Sequence, residues 1–365
     1  MFRKEDLMAK RIVRIIIFLL LLVLIAAAGF FAYITLSEYK PADREELTVE
    51  GAGPQIYRGQ EMRIATWNIG YGALGDTADF FMDGGKSVRT ADKEGVTENI
   101  NSIINEMRNM RADVFLLQEV DRDSARSCHI DELTMITDAF RNAYGQQNTV
   151  STFANNYLTP FVPYPMPPIG KVDSGIMTLS RFGVDSAERI SLPCPFNWPV
   201  RAVNLKRCLM IDRIPIAGGV QLVLINLHLE AYDDGEGKIA QTQMLKQIMD
   251  EEYSKGNYVI VGGDFNQTFS TVDESAYKHQ EGMWEAGKIQ EKEFSDNWTL
   301  LMDDSAPTCR SLDKAYAGAD KEDFQFYMID CFIVSNNIKV KKIKTKQLDF
   351  KNTDHNPVVM DIRLK

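Results

Sequence analysis

The sequence is short of the residues that staple or metallate small extracellular folds. Five cysteines in 365 residues, none of them spaced C-x-x-C, exclude a zinc ribbon, a thioredoxin-type redox site and a disulfide-stapled miniprotein. Positive charge is also scarce: 41 bases stand against 51 acids, for a formal net charge of −10. A protein that simply coats nucleic acid needs a strong phosphate-binding field, so that class is excluded. Histidine occurs only four times, so the place of each one carries information. No internal repeat occurs. What remains is ordinary globular composition, 45% hydrophobic and 25% charged, with enough apolar mass for a core. It is neither disordered nor collagen-like.

The N-terminus faces a different solvent. Residues 15–34 read IIIFLLLLVLIAAAGFFAYI, a run without charge and of the length a helix needs to cross a bilayer core. Arg3, Lys4, Lys10, Arg11 and Arg14 precede it, whereas Glu38, Asp43, Glu45 and Glu46 follow. The positive-inside bias places the N-terminus in the cytoplasm and the rest of the chain outside the cell. A signal peptide cleaved near Ala26-Ala27-Ala28 is the competing reading. The apolar run continues through Ile34, which favours an uncleaved anchor. The expected organisation is a cytoplasmic basic segment over 1–14, a transmembrane helix over 15–36, a polar linker over 37–60 and one domain over 61–365. Six of the bases and three of the acids lie in the first 40 residues, so the external part carries 35 bases and 48 acids, a net −13. That acidic body speaks against long-range steering of polyanions.

Beyond Met62 short apolar runs alternate with helical patterns. MRIATWN (62–68), DVFLLQE (113–119), GIMTLS (175–180), QLVLINLHL (221–229), YVIVGGDF (258–265) and MIDCFIVS (328–335) read as buried strands. Val96, Ile100, Ile103, Ile104, Met107 and Met110 fall at helical spacing, with Thr97 as the expected cap. Ile239, Met244, Leu245, Ile248 and Met249 form a second stripe that Gly256 stops, and a third helix is expected over 131–142. Both stripes read as core faces. Five prolines between Pro160 and Pro168 require an extended loop, a connector or one wall of a cleft. Lys342, Lys344 and Lys346 alternate as on a charged edge strand. Residues 273–325 carry only weak strand signals. Cys208 and Cys331 lie in strand-like runs as small core residues; Cys128, Cys194 and Cys309 lie in loops, where an external location permits one disulfide and the odd count leaves at least one free thiol if pairing is intramolecular.

Acids, amides and imidazoles recur at the strand ends: Asn68, Glu119, His228, Asp264 with Asn266, Asp330, and Asp354 with His355. Two marks are the most specific. Gly262 and Gly263 precede Asp264-Phe265-Asn266, where glycines let the backbone turn tightly beside a ligand. If the chain stays extended there, Asp264 and Asn266 point to one side. Asp354-His355 precedes Asn356-Pro357, and the proline holds Asn356 out of helix. Oxygen donors such as Glu119 and Asn68 suit Mg2+ or Mn2+ rather than zinc. Imidazoles beside such a cation suit proton transfer at a phosphoryl group.

The motifs W-N-I-G, L-Q-E-V-D, S-G-I-M-T-L-S-R, N-L-H-L, G-G-D-F-N, I-D-C-F-I-V-S and D-H-N-P stand in the order of the endonuclease/exonuclease/phosphatase superfamily, which the chain resembles over about residues 62–364. The resemblance implies a DNase-I-like, four-layer α/β/β/α sandwich of two mostly antiparallel sheets, and hydrolysis of phosphodiesters or phosphomonoesters with a divalent metal. By the same resemblance, Glu119 is similar to the family's metal-binding glutamate, Asn68 to the asparagine beside it, and Asp354 to the aspartate that assists the metal or the histidine. His355 resembles the catalytic histidine, Asp330 the carboxylate that orients it, and His228 the second histidine on the scissile phosphate. Asp264 and Asn266 resemble the pair that handles water and phosphate. His355 and Asp264 both remain open as the base. Gly70 stands where the abasic-site nucleases carry aspartate, and His228 where they carry tyrosine. The chain is therefore closer to the DNase, sphingomyelinase and phosphatase branches. Lys86 and Arg89 are candidate phosphate contacts.

The expectation is a membrane-anchored phosphoesterase, dependent on Mg2+ or Mn2+, with its catalytic domain outside the cell. Its substrate would be a phospholipid headgroup or another small phosphoester. An extracellular DNA or RNA endonuclease is the alternative, and an inactive surface binding module the third.

Overall fold

The computed structural model describes residues 2–233 and 235–365. Two seven-stranded sheets carry the domain. At the centre of the first, β3 (Glu61–Asn68) runs parallel to β4 (Val114–Asp121), the crossover between them being helix α2 (Lys93–Met110). Antiparallel strands β6 (Gly170–Ser180), β5 (Thr149–Val162) and β2 (Glu50–Ala52) extend it on one side. On the other side lie β18 (Val358–Leu364) and β17 (Ile338–Thr345). The second sheet has the order β1 (Arg44–Leu47), β7 (Ser186–Ser191), β8 (Cys208–Pro215), β9 (Gln221–His228), β10 (Tyr258–Asp264), β16 (Asp330–Ser335), β13 (Trp298–Leu301). Its one parallel pair, β9 with β10, is joined through helix α4 (Glu236–Ser254). Two small ribbons, β11 (Gln267–Phe269) with β12 (Gly287–Ile289) and β14 (Cys309–Arg310) with β15 (Phe326–Tyr327), punctuate the irregular stretch between β10 and β16.

Strand periodicity sorts the side chains into layers. From β3, Ala65 and Trp67 face α2 and α3 (Glu132–Tyr144), while Ile64 faces the other sheet. Between the sheets, Ile64, Val114 and Leu116 meet Leu222, Leu224, Ile260 and Phe332. On the far face, Leu245, Ile248 and Met249 of α4 cover Val223, Ile225 and Val259. The result is the four-layer α/β/β/α sandwich.

Local details differ from the sequence reading in four places. The cap of α2 is Asp92, which accepts from the Gly95 N–H at 2.9 Å; Thr97 lies a turn inside and bonds back to Lys93. The buried face of α4 is narrower than its apolar stripe, since Ile239 is 59% exposed while Gln241 is buried. All five cysteines are free, and Cys309 sits in β14 rather than in a loop. Most consequentially, residues 37–60 are part of the domain: β1 pairs with β7, β2 pairs with β5, and Ile56 bridges Ile216. Each sheet thus gains an edge strand from a segment expected to be a linker. The lysine-rich β17 lies at a sheet edge, where repelling charges discourage further strand addition.

Helix α1 (Phe2–Leu36) contains a stretch, Lys10–Leu36, long and apolar enough to cross a membrane. Its last turns rest on the loop before β8. The Phe31 and Trp198 rings lie 5.5 Å apart, and Trp198 Nε1 donates to Thr35 Oγ1 at 3.0 Å. Just beyond the helix, Glu38 takes Arg201 at 3.0 Å and Lys206 at 3.3 Å. Burial works against the Glu38 carboxylate, but these two cations outweigh it and hold its pKa below the usual value.

Candidate active site

Register brings the strand-end groups together. In the second sheet Asp264 is paired with His228 on one side and with Asp330 on the other, so three chemistry-bearing residues stand abreast at one sheet end. Asn68 closes β3 of the facing sheet. The glycine pair before Asp264 does not make a turn. Both glycines lie within β10, and their role is close packing. A Cβ on Gly262 would sit 2.6 Å from the Phe332 ring, and one on Gly263 2.1 Å from the Leu227 carbonyl oxygen. Nor does the chain stay extended past Asp264. Asn266 has a φ of +50°; its N–H donates to Asp264 Oδ1 and its side-chain amide to the Leu229 carbonyl, each at 2.9 Å. Asn266 thus fixes the rotamer of Asp264. Glu119 is likewise turned to φ +56°, at the irregularity where β4 loses register with β6. A bulge of this kind re-aims a side chain.

The Asp354-His355 segment is tied to β3 by two hydrogen bonds. Trp67 Nε1 donates to the His355 carbonyl at 2.9 Å, and Thr353 Oγ1 donates to the Asn68 carbonyl at 3.1 Å. Its other side pairs with Cys309 of β14. Gly70 is required where this segment approaches: at φ +54°, a Cβ would lie 2.9 Å from Thr353 Oγ1 and 3.0 Å from Asp354 Oδ1.

The side chains then form one connected cluster. His355 Nδ1 lies 2.7 Å from Asp330 Oδ2, and its Nε2 is 3.8 Å from Asp264 Oδ2 and 4.0 Å from Asp354 Oδ2. His228 Nε2 is 3.5 Å from the same Asp264 oxygen. The Asn68 amide donates to Asp264 Oδ2 at 3.0 Å and to Glu119 Oε1 at 3.2 Å, and its oxygen accepts from the Gly70 N–H. Asp264, Asp330 and His355 present atoms close enough to hold one cation, as do Cys309, Asp354 and His355.

Electrostatics differentiate the groups. Burial alone would keep His355 neutral, but Asp330, Cys309 and Asp354 outweigh it and raise its pKa well above the ordinary imidazole value. His228 goes the other way: burial and the nearby Arg207 hold it well below that value, and its Nδ1 has no partner. Asp264 is raised by burial and by the charge of Asp330, against the pull of His355 and Asn68. Asp354 is raised by burial, with Glu119 adding like-charge repulsion against the pull of His355 and Arg310. One imidazole is thereby set to carry a proton and one to lack it, beside carboxylates that hold theirs more tightly than usual.

These residues floor a cleft of about 620 Å³. The proline-rich loop is one wall, through Pro163 and Tyr164. Lys86 and Arg89 are exposed and lie outside the cleft lining. The cations that do line it were not singled out in the sequence. Arg207 is buried at the start of β8 with its Nε unbonded, 3.7 Å from Glu230. Arg126 is clamped by Asp121 at 2.9 Å and lies 3.8 Å over the Tyr71 ring. Tyr232 donates to Asp83 at 3.0 Å across the cleft mouth. A basic residue beside a strand end was the available signal for Arg207; nothing local marks Tyr232.

Comparison with known proteins agrees with this geometry. Residues 65–300 match the Endonuclease/Exonuclease/phosphatase family; Asp330, Asp354 and His355 lie beyond the matched segment. No curated protein sequence matches. An endonuclease/exonuclease/phosphatase from Beutenbergia cavernae has a similar structure, at TM-score 0.56 and 20% identity, covering 84% of this chain and 72% of that one. A Bacteroides vulgatus endonuclease/exonuclease/phosphatase gives 0.51 at 13% identity, covering 84% and 100%. A D. rerio TDP2 complexed with single-strand DNA product gives 0.51 at 13%, covering 83% and 99%. At such identities the likeness is one of fold. With the family match spanning most of the chain, the protein belongs to the endonuclease/exonuclease/phosphatase family, whose members are generally phosphoester hydrolases or nucleases.

Proposed function

We propose that this protein is a divalent-metal-dependent phosphoester hydrolase, held on a membrane by α1 with its catalytic domain on the outer face. The observation that carries the reading is an acid and a base held side by side: His355 clamped by Asp330 at 2.7 Å, with its Nε2 3.8 Å from the Asp264 carboxylate, which the Asn68 amide and the Asn266 N–H hold in place. The donor set fits a hard cation. Glu119, Asp354 and the Asn68 amide oxygen are oxygen donors, and two of them are like charges that repel until a cation lies between them. These three residues would hold Mg2+ or Mn2+. Such an ion, when bound, neutralises charge on the phosphoryl oxygens and eases departure of the leaving oxygen.

The chain's own groups supply the rest. Asp264 accepts a proton from the attacking water, its carboxylate held in place by the Asn68 amide and the Asn266 N–H. A carboxylate whose pKa is raised is a better base than a free one. His355 is kept protonated by Asp330 and donates from Nε2 to a phosphoryl oxygen, stabilising the charge that builds there. Neutral His228 donates to a second oxygen, and Arg207 adds positive charge from behind it. The test is the full-length protein in nanodiscs with Mg2+ and bis(4-nitrophenyl) phosphate, beside supercoiled plasmid. Nitrophenol release that EDTA removes supports the reading. Nicking without nitrophenol release would replace it with the nuclease alternative, and neither product would end both.

A further inference from the structure

The cleft does not stop at the catalytic floor. The same cavity continues to Phe30, Phe31 and Ile34, on the last turns of the membrane-length helix, and is faced there by Phe196 and Val200 of the loop on which that helix rests. Ile34 is only 3% exposed, because the domain covers it. At the outer rim Tyr164, Trp198 and Val200 are each more than half exposed (67%, 52% and 54%), an apolar edge that water solvates poorly. The join is fixed by the Trp198–Thr35 hydrogen bond and the Glu38 ion pairs. Helix, rim and chamber therefore meet at the level where α1 leaves the apolar core of a bilayer.

Resting on the hydrolase reading, we infer that this chamber takes the apolar chain of a membrane amphiphile whose phosphoester reaches the floor, so that substrate enters sideways from the bilayer holding α1. The volume exceeds what a phosphate group needs and lies in the range that buries a drug-sized ligand. The chamber's apolar lining gains nothing from a sugar–phosphate strand, but excludes water around methylene groups. Its wall is contributed by the anchor itself, so no soluble ligand has to be invoked to explain why that wall is apolar.

The experiment uses full-length protein in nanodiscs, Mg2+ and 4-nitrophenyl alkyl phosphate diesters with methyl, butyl and octyl chains, which share one leaving group. The expected kcat/KM rises on the order of 100-fold from methyl to octyl. Val200→Asp places a charge at an exposed rim position and is expected to cut that ratio at least about tenfold. Partitioning into the nanodisc is the same for both proteins, so the difference in ratio reports the chamber. A flat series, or an unchanged ratio in the variant, overturns the inference while leaving the hydrolase reading standing. If the methyl ester resists cleavage too, the hydrolase reading fails, and binding decides the chamber. EDTA-treated protein is then photolabelled by a phospholipid carrying a diazirine in its acyl chain. Label within 162–169 or 196–205 supports occupancy, and label confined to 10–29 overturns it.

Discussion

The two halves of the cleft are built on opposite principles. The floor is a connected polar network in which side chains from six separate segments converge within a few ångströms. The chamber is mostly apolar: aromatic and aliphatic side chains from α1, the loop before β8 and the proline-rich loop line most of its wall. A network fixes positions, and so one lost atom disturbs all the others. An apolar chamber tolerates substitutions of similar volume and fails mainly when a charge enters it. On the proposed reading, the floor serves the chemistry and the chamber the selection of substrate.

Substitutions should separate the two. The largest effect is expected at His355→Ala: turnover of any phosphoester falls about 10²- to 10⁴-fold, with circular dichroism close to wild type and a lowered melting temperature, because the buried Asp330 carboxylate loses its partner. An unaffected rate would dissolve the distinction between the halves. Next, EDTA is expected to abolish turnover, and Glu119→Gln to weaken Mg2+ binding by at least about tenfold in titration calorimetry, because the amide keeps the shape but removes a charge. Metal affinity equal to wild type would move the cation elsewhere in the floor. Gly70→Ala tests how tightly the floor is packed. The added Cβ meets Thr353 and Asp354 at a positive φ, so a stability loss of about 1–3 kcal/mol and slower turnover are expected together. Loss of stability without loss of rate would show that Asp354 need not be placed so closely.

Two smaller effects probe the border. Burial pushes the Asp83 carboxyl up to about 6, only partly offset by the Tyr232 hydroxyl. Because the folded state holds this proton more tightly than the unfolded chain, its stabilising contribution is full below the carboxyl's ordinary value of 3.8 and is lost as pH rises through about 6. Asp83→Asn is expected to flatten the stability profile between those limits, as read by chemical denaturation at several pH values. An identical profile would place the titration elsewhere. The smallest effect is expected at Glu38→Gln, where desolvation of the carboxylate offsets most of what the ion pairs to exposed Arg201 and buried Lys206 supply, leaving about 1 kcal/mol. A shift well beyond that in thermal melts would make the helix-to-domain join part of the folding core.

The floor was legible in the sequence and the chamber was not, for a physical reason. Asn68, His228 and Asp264 end strands and Asp330 opens one, and strand ends gather at a sheet rim whatever the loops do. A period-2 pattern therefore locates them without long-range knowledge. The six strands and three helices came from the same periodicities. Phe196 and Tyr232 sit in loops whose conformation is set by tertiary contact, and Phe31 lies in a helix that was legible, but nothing local says that its ring faces the cleft. The role of the 37–60 segment was hidden because its strands are short and occupy sheet edges, where polar composition is normal. The glycine pair was recognised as special, yet the reason was the nearness of Phe332 and Leu227, which no local pattern carries.

On the proposed membrane anchoring, the mount between Glu38 and the Arg201–Lys206 segment has a kinetic consequence. A domain on a loose tether would sample substrate in a volume. One seated on its own membrane helix samples a plane, and the quantity that sets its rate becomes the mole fraction of substrate in that plane. Diluting such an enzyme in buffer at constant surface composition leaves its turnover unchanged, whereas diluting the surface with inert lipid slows it in proportion.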